Sequence, residues 1–184
     1  MNDAIDFKLI TEHGPQTYER DYEFTATDLA RPEVVGTASA RMEVTVDAGD
    51  LDGEFVADGT MTFTTDLECS RCVEPTPFAN TSSFHVRFRP RPEVSADEEI
   101  EITEEELDVE FYSEPAILLR DLALEQVQLS IPMKPLCDEG CLGLCPVCGV
   151  NRTREACSCG ESVVDERWGA LREMRDALAK KKDI

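Results

Sequence analysis

The chain has few cations, few histidines and no long apolar run. Of its 184 residues only 18 are Lys or Arg, against 39 Asp or Glu, and the formal net charge is -21. A surface of that sign repels phosphate backbones, which disfavours generic nucleic-acid binding driven by counterion release. It suits a basic protein partner, and it suits solubility alone. No stretch approaches the roughly 18 apolar residues that span a bilayer, so no membrane contact is expected. Met1-Asn2-Asp3-Ala4-Ile5-Asp6 has neither a basic start nor an apolar core, which points away from secretion and toward the cytoplasm. The two histidines, His13 and His85, do not stand in metal-ligand spacing, and His85 reads as a solvated side chain. A phosphate-cradling Gly-rich loop, a nucleophile elbow and a His–Glu metalloprotease helix are all missing. The sequence therefore offers no catalytic residues, and the chain reads as non-enzymatic.

Cysteine is what the chain does have. Its eight cysteines fall into four close pairs: Cys69 with Cys72, Cys137 with Cys141, Cys145 with Cys148, and Cys157 with Cys159. Short spacings of this kind let two sulfurs face one tetrahedral metal ion. Cys145-Pro146-Val147-Cys148-Gly149 reads as a zinc knuckle, in which the proline fixes the approach and the glycine supplies a tight turn. A disulfide framework would require an oxidising compartment. An iron–sulfur cluster would require a different spacing. A redox pair at Cys69 and Cys72 would leave six other thiols unexplained. Zinc is the cofactor the pattern favours.

Loop closure suggests how the ligands divide. Only the short loop 149–156 separates Cys145 and Cys148 from Cys157 and Cys159, so those four close one site at small entropic cost. Cys69, Cys72, Cys137 and Cys141 are left for a second site, giving two structural ions. The Cys-x-Cys pair is tighter than usual, which leaves open a single site completed by Cys141. Four thiolates leave no open coordination position, so either arrangement is structural. Arg71 lies inside the first pair, and Arg152 and Arg154 lie between the last two. They are the candidate RNA-phosphate contacts, or else they neutralise the thiolates locally.

The fold reads as α+β: an antiparallel sheet that could curl toward a barrel, then a helix, the Cys-rich zinc-binding segment and a C-terminal helix. Asp3 to Ile10 suggests a first strand or a lead-in to one. Met42, Val44 and Val46 alternate with polar residues, the signature of a half-buried strand. Phe55, Ala57, Gly59, Met61, Phe63, Thr65 and Leu67 share one parity, with a bulge or turn expected near Asp58-Gly59. Phe78 to Phe88 supplies a return strand. Residues 93–114 hold eleven acidic residues and no basic one, and read as an acidic connector between a β part (1–92) and a helical, zinc-binding part (115–184). A helix is expected from Pro115 to Pro132. A last helix is expected from an Asp165 cap to Lys180-Lys181-Lys182, its stripe of Trp168, Leu171, Met174 and Leu178 serving as core.

Four stretches also carry a resemblance. Cys69-Ser70-Arg71-Cys72 follows a β-run. Leu129-Ser130-Ile131-Pro132-Met133-Lys134-Pro135-Leu136-Cys137 leads into Cys141-Leu142-Gly143-Leu144-Cys145-Pro146-Val147-Cys148-Gly149-Val150-Asn151, and Cys157-Ser158-Cys159 closes the set. In order and spacing this is similar to the YceD family of large ribosomal RNA subunit accumulation proteins, across essentially the whole chain. The resemblance implies a non-enzymatic cytoplasmic factor in ribosome biogenesis that supports 23S rRNA accumulation. It also implies a basic large-subunit ribosomal protein or pre-ribosomal particle as partner, with direct contact to rRNA as the alternative.

Overall fold

The computed structural model describes residues 3–92 and 108–159, together with Trp168 and Met174. Its contacts divide the chain into two units, Met1–Glu139 and Gly140–Ile184. In the first unit, β1 (Ala4–Asp6) leads into α1 (Phe7–His13), then β2 (Gln16–Thr25), β3 (Val34–Ala48), β4 (Phe55–Glu68) and β5 (Pro75–Pro90). After these come β6 (Val109–Tyr112), β7 (Ala116–Leu118) and α2 (Leu119–Ser130).

Strands β2 to β5 form an antiparallel meander, and β6 adds to β5 in parallel. The order β2-β3-β4-β5-β6 leaves β2 and β6 at opposite edges, so the sheet is open and the barrel option is corrected. Closure is not needed, because the helices cover the apolar face. Met42, Val44 and Val46 of β3 and Ala57, Met61, Phe63 and Leu67 of β4 are buried with Phe7 and Ile10 of α1 and Leu122, Ala123 and Val127 of α2. The alternate residues Arg41, Glu43, Thr60, Thr62 and Thr64 face solvent. This is the one-sided burial typical of an antiparallel sheet.

Several expectations change. Asp3 to Ile10 is not one strand: Asp6 accepts the Lys8 N–H at 2.9 Å and caps α1, whose end at Gly14 has φ 77°. No break occurs at Asp58-Gly59. The β3–β4 register runs through them unbroken, and its one shift lies between Val35 and Ser39. Gly59 answers to close packing instead. A Cβ there would come within 2.5 Å of the Phe84 ring and 2.6 Å of the Glu43 carbonyl oxygen.

The expected helix starts at Leu119 rather than Pro115. Residues Ala116 to Leu118 are drawn into a strand by β1, with Ile117 opposite Ile5. The Pro115 carbonyl accepts the Phe7 N–H at 2.9 Å, and Asp3 accepts the Arg120 N–H at 2.9 Å, capping α2 from a distant part of the chain. Residues 93–107 of the acidic stretch lie outside the described residues, whereas Val109–Tyr112 is β6. Of the expected last helix, Asp165, Leu171, Leu178 and the three lysines lie outside the described residues. Trp168 and Met174 are exposed rather than core. Among the described residues no helix is long and apolar enough to cross a membrane.

One buried charge organises the β3–β4 turn. Glu54 is 5% exposed, accepts from Arg89 Nε at 2.8 Å and also accepts the Asp50 N–H at 3.1 Å. The Arg89 guanidinium holds its carboxyl below the usual range, although burial opposes this. Because the folded-state value is depressed, the stabilisation is fully present above the ordinary glutamate value of about 4.3 and fades as pH falls through the lower folded value. Glu54→Gln should cost about 1.5 kcal/mol at neutral pH, since it keeps an acceptor oxygen for Arg89 but removes the charge that strengthens the bond. In urea unfolding at pH 7 and at acid pH, the gap between wild type and variant should narrow toward acid.

Candidate metal centres

The sulfurs gather in two groups, Cys69, Cys72, Cys137 and Cys141, and Cys145, Cys148, Cys157 and Cys159. In each group the four sulfurs lie within 4.8 Å of one another. These are the sets that loop closure selects, and the Cys-x-Cys pair contributes both of its sulfurs to one group. All eight cysteines are unbridged. The Sγ–Sγ distances are 3.6 Å for Cys72–Cys137, 3.5 Å for Cys148–Cys157 and 3.3 Å for Cys145–Cys157. A disulfide would be near 2 Å, whereas a tetrahedron with metal–sulfur bonds of about 2.3 Å has edges of about 3.8 Å. The donor set and its dimensions fit a tetrahedral thiophilic ion, and both groups could hold one.

The first group begins where β4 ends. Cys69 and Cys72 are buried in the turn between β4 and β5, and no helix follows them as it would in a thioredoxin-like redox loop. This turn is tied to the chain beyond α2. The Ser70 N–H donates to the Pro135 carbonyl at 2.8 Å, and Arg71 Nη1 donates to the Glu139 carbonyl at 2.9 Å. Those two bonds carry Cys137 to the side of Cys72. Burial would push the Cys69 thiol up. The N–H groups of Cys137, Arg71 and Cys72, which donate to its sulfur, outweigh burial and bring it down to about 6. A thiolate solvated by backbone is the form a metal requires.

The second group is a small hairpin closed by the Leu144–Asn151 bridge. The N–H groups of Cys148 and Val147 hold the Cys145 thiol down at about 6. The Cys148 and Cys157 thiols push Cys159 up to about 12, and Cys145 pushes Cys157 up as well. The Cys157 thiol, raised in this way, donates to the Cys145 sulfur at 3.3 Å. Arg152 and Arg154 sit exposed in the turn before Cys157, with the Arg152 N–H donating to Gly143 at 2.9 Å. Arg71 is also exposed at its backbone contact with Glu139. His85 stands exposed beside Asp58, its Nδ1 2.7 Å from the carboxylate, and belongs to neither group.

The two Cys-x-x-Cys loops share one backbone design. The Cys69 N–H donates to Glu74 and the Val73 N–H to Cys69; likewise the Cys145 N–H donates to Val150 and the Gly149 N–H to Cys145. The residue after the second cysteine takes a positive φ in both, 74° at Gly149 and 61° at Val73. Sequence reading identifies the Gly149 turn and misses Val73, because only the alignment of the two loops marks that position. A β-branched residue there is strained by about 1–2 kcal/mol. Val73→Gly should therefore raise stability by about 1 kcal/mol in thermal unfolding, and Gly149→Val should lower it by a similar amount. A drop for Val73→Gly would show that its side chain packs more than it strains.

The sequence pattern described as "Large ribosomal RNA subunit accumulation protein YceD" matches residues 57–175. The chain is similar to the chloroplast "Large ribosomal RNA subunit accumulation protein YCED homolog 1" of Arabidopsis thaliana, 33% identical over 66 residues. That match covers 36% of this chain and 19% of the plant protein. It is also 33% identical over 130 residues to uncharacterised proteins of Mycobacterium bovis and Mycobacterium tuberculosis, covering 68% of this chain and 60% of theirs. The chain thus spans less than two thirds of the length of these relatives. No solved structure matches it. With the matched region enclosing every cysteine of both groups, the chain belongs to the YceD family, the large ribosomal RNA subunit accumulation proteins.

Proposed function

We propose that this protein is a non-enzymatic factor in large ribosomal subunit biogenesis, acting in the cytoplasm to support 23S rRNA accumulation. It would do so by binding a basic large-subunit ribosomal protein or a pre-ribosomal particle. The observation that carries this reading is the family match over both cysteine groups in a chain of net charge -21. Charge of that size attracts basic partners over several ångströms and repels bare phosphate. Two zinc ions would be structural, one held by Cys69, Cys72, Cys137 and Cys141 and the other by Cys145, Cys148, Cys157 and Cys159. Four thiolates saturate a tetrahedral ion, which leaves no position for substrate or activated water.

A second reading rests on Arg152 and Arg154, which are exposed in one turn of an otherwise acidic chain. In that reading they, with Arg71, contact rRNA phosphate directly. A salt-sensitive shift of labelled rRNA, abolished by Arg152→Ala with Arg154→Ala, would favour it.

The main reading predicts that cells lacking the protein have a lowered ratio of 23S to 16S rRNA. The wild-type gene should restore the ratio, and the variant carrying Cys145→Ser and Cys148→Ser should not. An unchanged ratio on loss of the protein would refute the biogenesis role. Full rescue by the cysteine variant would refute the need for the second site.

A further inference from the structure

Away from the cysteines, β6, β7 and the first turn of α2 enclose a groove of about 210 Å³ in the first unit. Its floor is apolar, with Phe88, Ile117 and Leu122 all buried. Its rim carries Glu110, Glu114 and Asp121, and among the described residues no Lys or Arg lines it. Glu125 follows Asp121 by one turn of α2 and lies on the same helix face. Burial, then the charges of Glu125 and Asp121, push the Glu110 carboxyl up; burial and Asp121 do the same to Glu125. These carboxylates thus repel one another, an arrangement that costs stability and gathers at functional sites more often than elsewhere.

The spacing restricts what could relieve the repulsion. Among the described residues, only the two cysteine groups bring three ligand atoms within 4.8 Å, so the carboxylates stand too far apart to enclose a bare metal ion. A cation on an apolar stem fits better, because its methylenes can lie on the groove floor while its head reaches the rim. Charge and shape together describe a basic side chain.

We propose that this groove receives a Lys or Arg side chain from the basic protein partner. The stem packs on Phe88, Ile117 and Leu122, and the cationic head sits among Glu110, Asp121 and Glu125. This assignment rests on the reading above that the partner is a basic protein, and it locates one contact on the surface.

The probe is fluorescently labelled deca-lysine, titrated against the full chain at physiological salt, with Ile117 and Leu122 methyl resonances followed in parallel. Wild type should bind, and both methyl resonances should shift. Glu110→Lys with Asp121→Lys should weaken binding about tenfold, while Glu19→Lys with Asp21→Lys, an equal charge change on β2, should change it less than twofold. If the reversed pair unfolds, Glu110→Gln with Asp121→Asn serves instead and should weaken binding in the same direction. Equal weakening by the groove and β2 variants, or unmoved methyl resonances, would overturn the groove while leaving a basic partner in place. No binding by wild type would overturn both.

Discussion

Four thiolates held within 4.8 Å of one another cannot all keep their charge unless a cation sits among them. Much of the cysteine-bearing chain is arranged around that constraint. In each Cys-x-x-Cys loop, backbone N–H groups turn toward the first sulfur and draw its thiol down to about 6. In the second group Cys157 and Cys159 are pushed upward by their neighbours, so without metal these two hold protons that a bound ion would displace. The loops accept strain to reach this geometry, as the positive φ of Val73 shows.

The sheet supplies a rigid frame for the first group. Its buried face is covered by α1 and α2, and the chain leaving α2 returns to the β4–β5 turn through the bonds from Ser70 to Pro135 and from Arg71 to Glu139. Cys137 is therefore delivered by a hydrogen-bonded return path rather than by a free loop. A metal bound there would lock contacts already made by the backbone, which is why the site reads as a structural device. The second hairpin has little apolar material of its own. Among its described residues Leu142, Leu144 and Val147 are exposed, so an ion held by its four cysteines would add much to its stability.

Much of this was legible in the sequence, and the reasons are local. The parity of Met42, Val44 and Val46 and of Phe55 to Leu67 is set by one buried face, and a period of two survives any global arrangement. Cysteine spacing is legible for the same reason, since short loops determine which sulfurs can meet. What failed depended on distant partners. Pro115 looks like a helix start until Phe7 and Asp3 claim the segments around it. Residues 7–13 look like strand until Asp6 caps them. The Glu110 groove was hidden in an acidic run whose composition resembles a solvated connector. Nothing in the sequence marks Phe88 and Leu122 as its floor.

The most direct test of the account is metal content per chain, measured by elemental analysis with parallel thiol titration on protein purified without added metal or chelator. Two closed sites predict about two zinc ions per chain and few reactive thiols until the metal is removed. Protein that folds without metal, with its eight cysteines reactive or oxidised, would contradict the account.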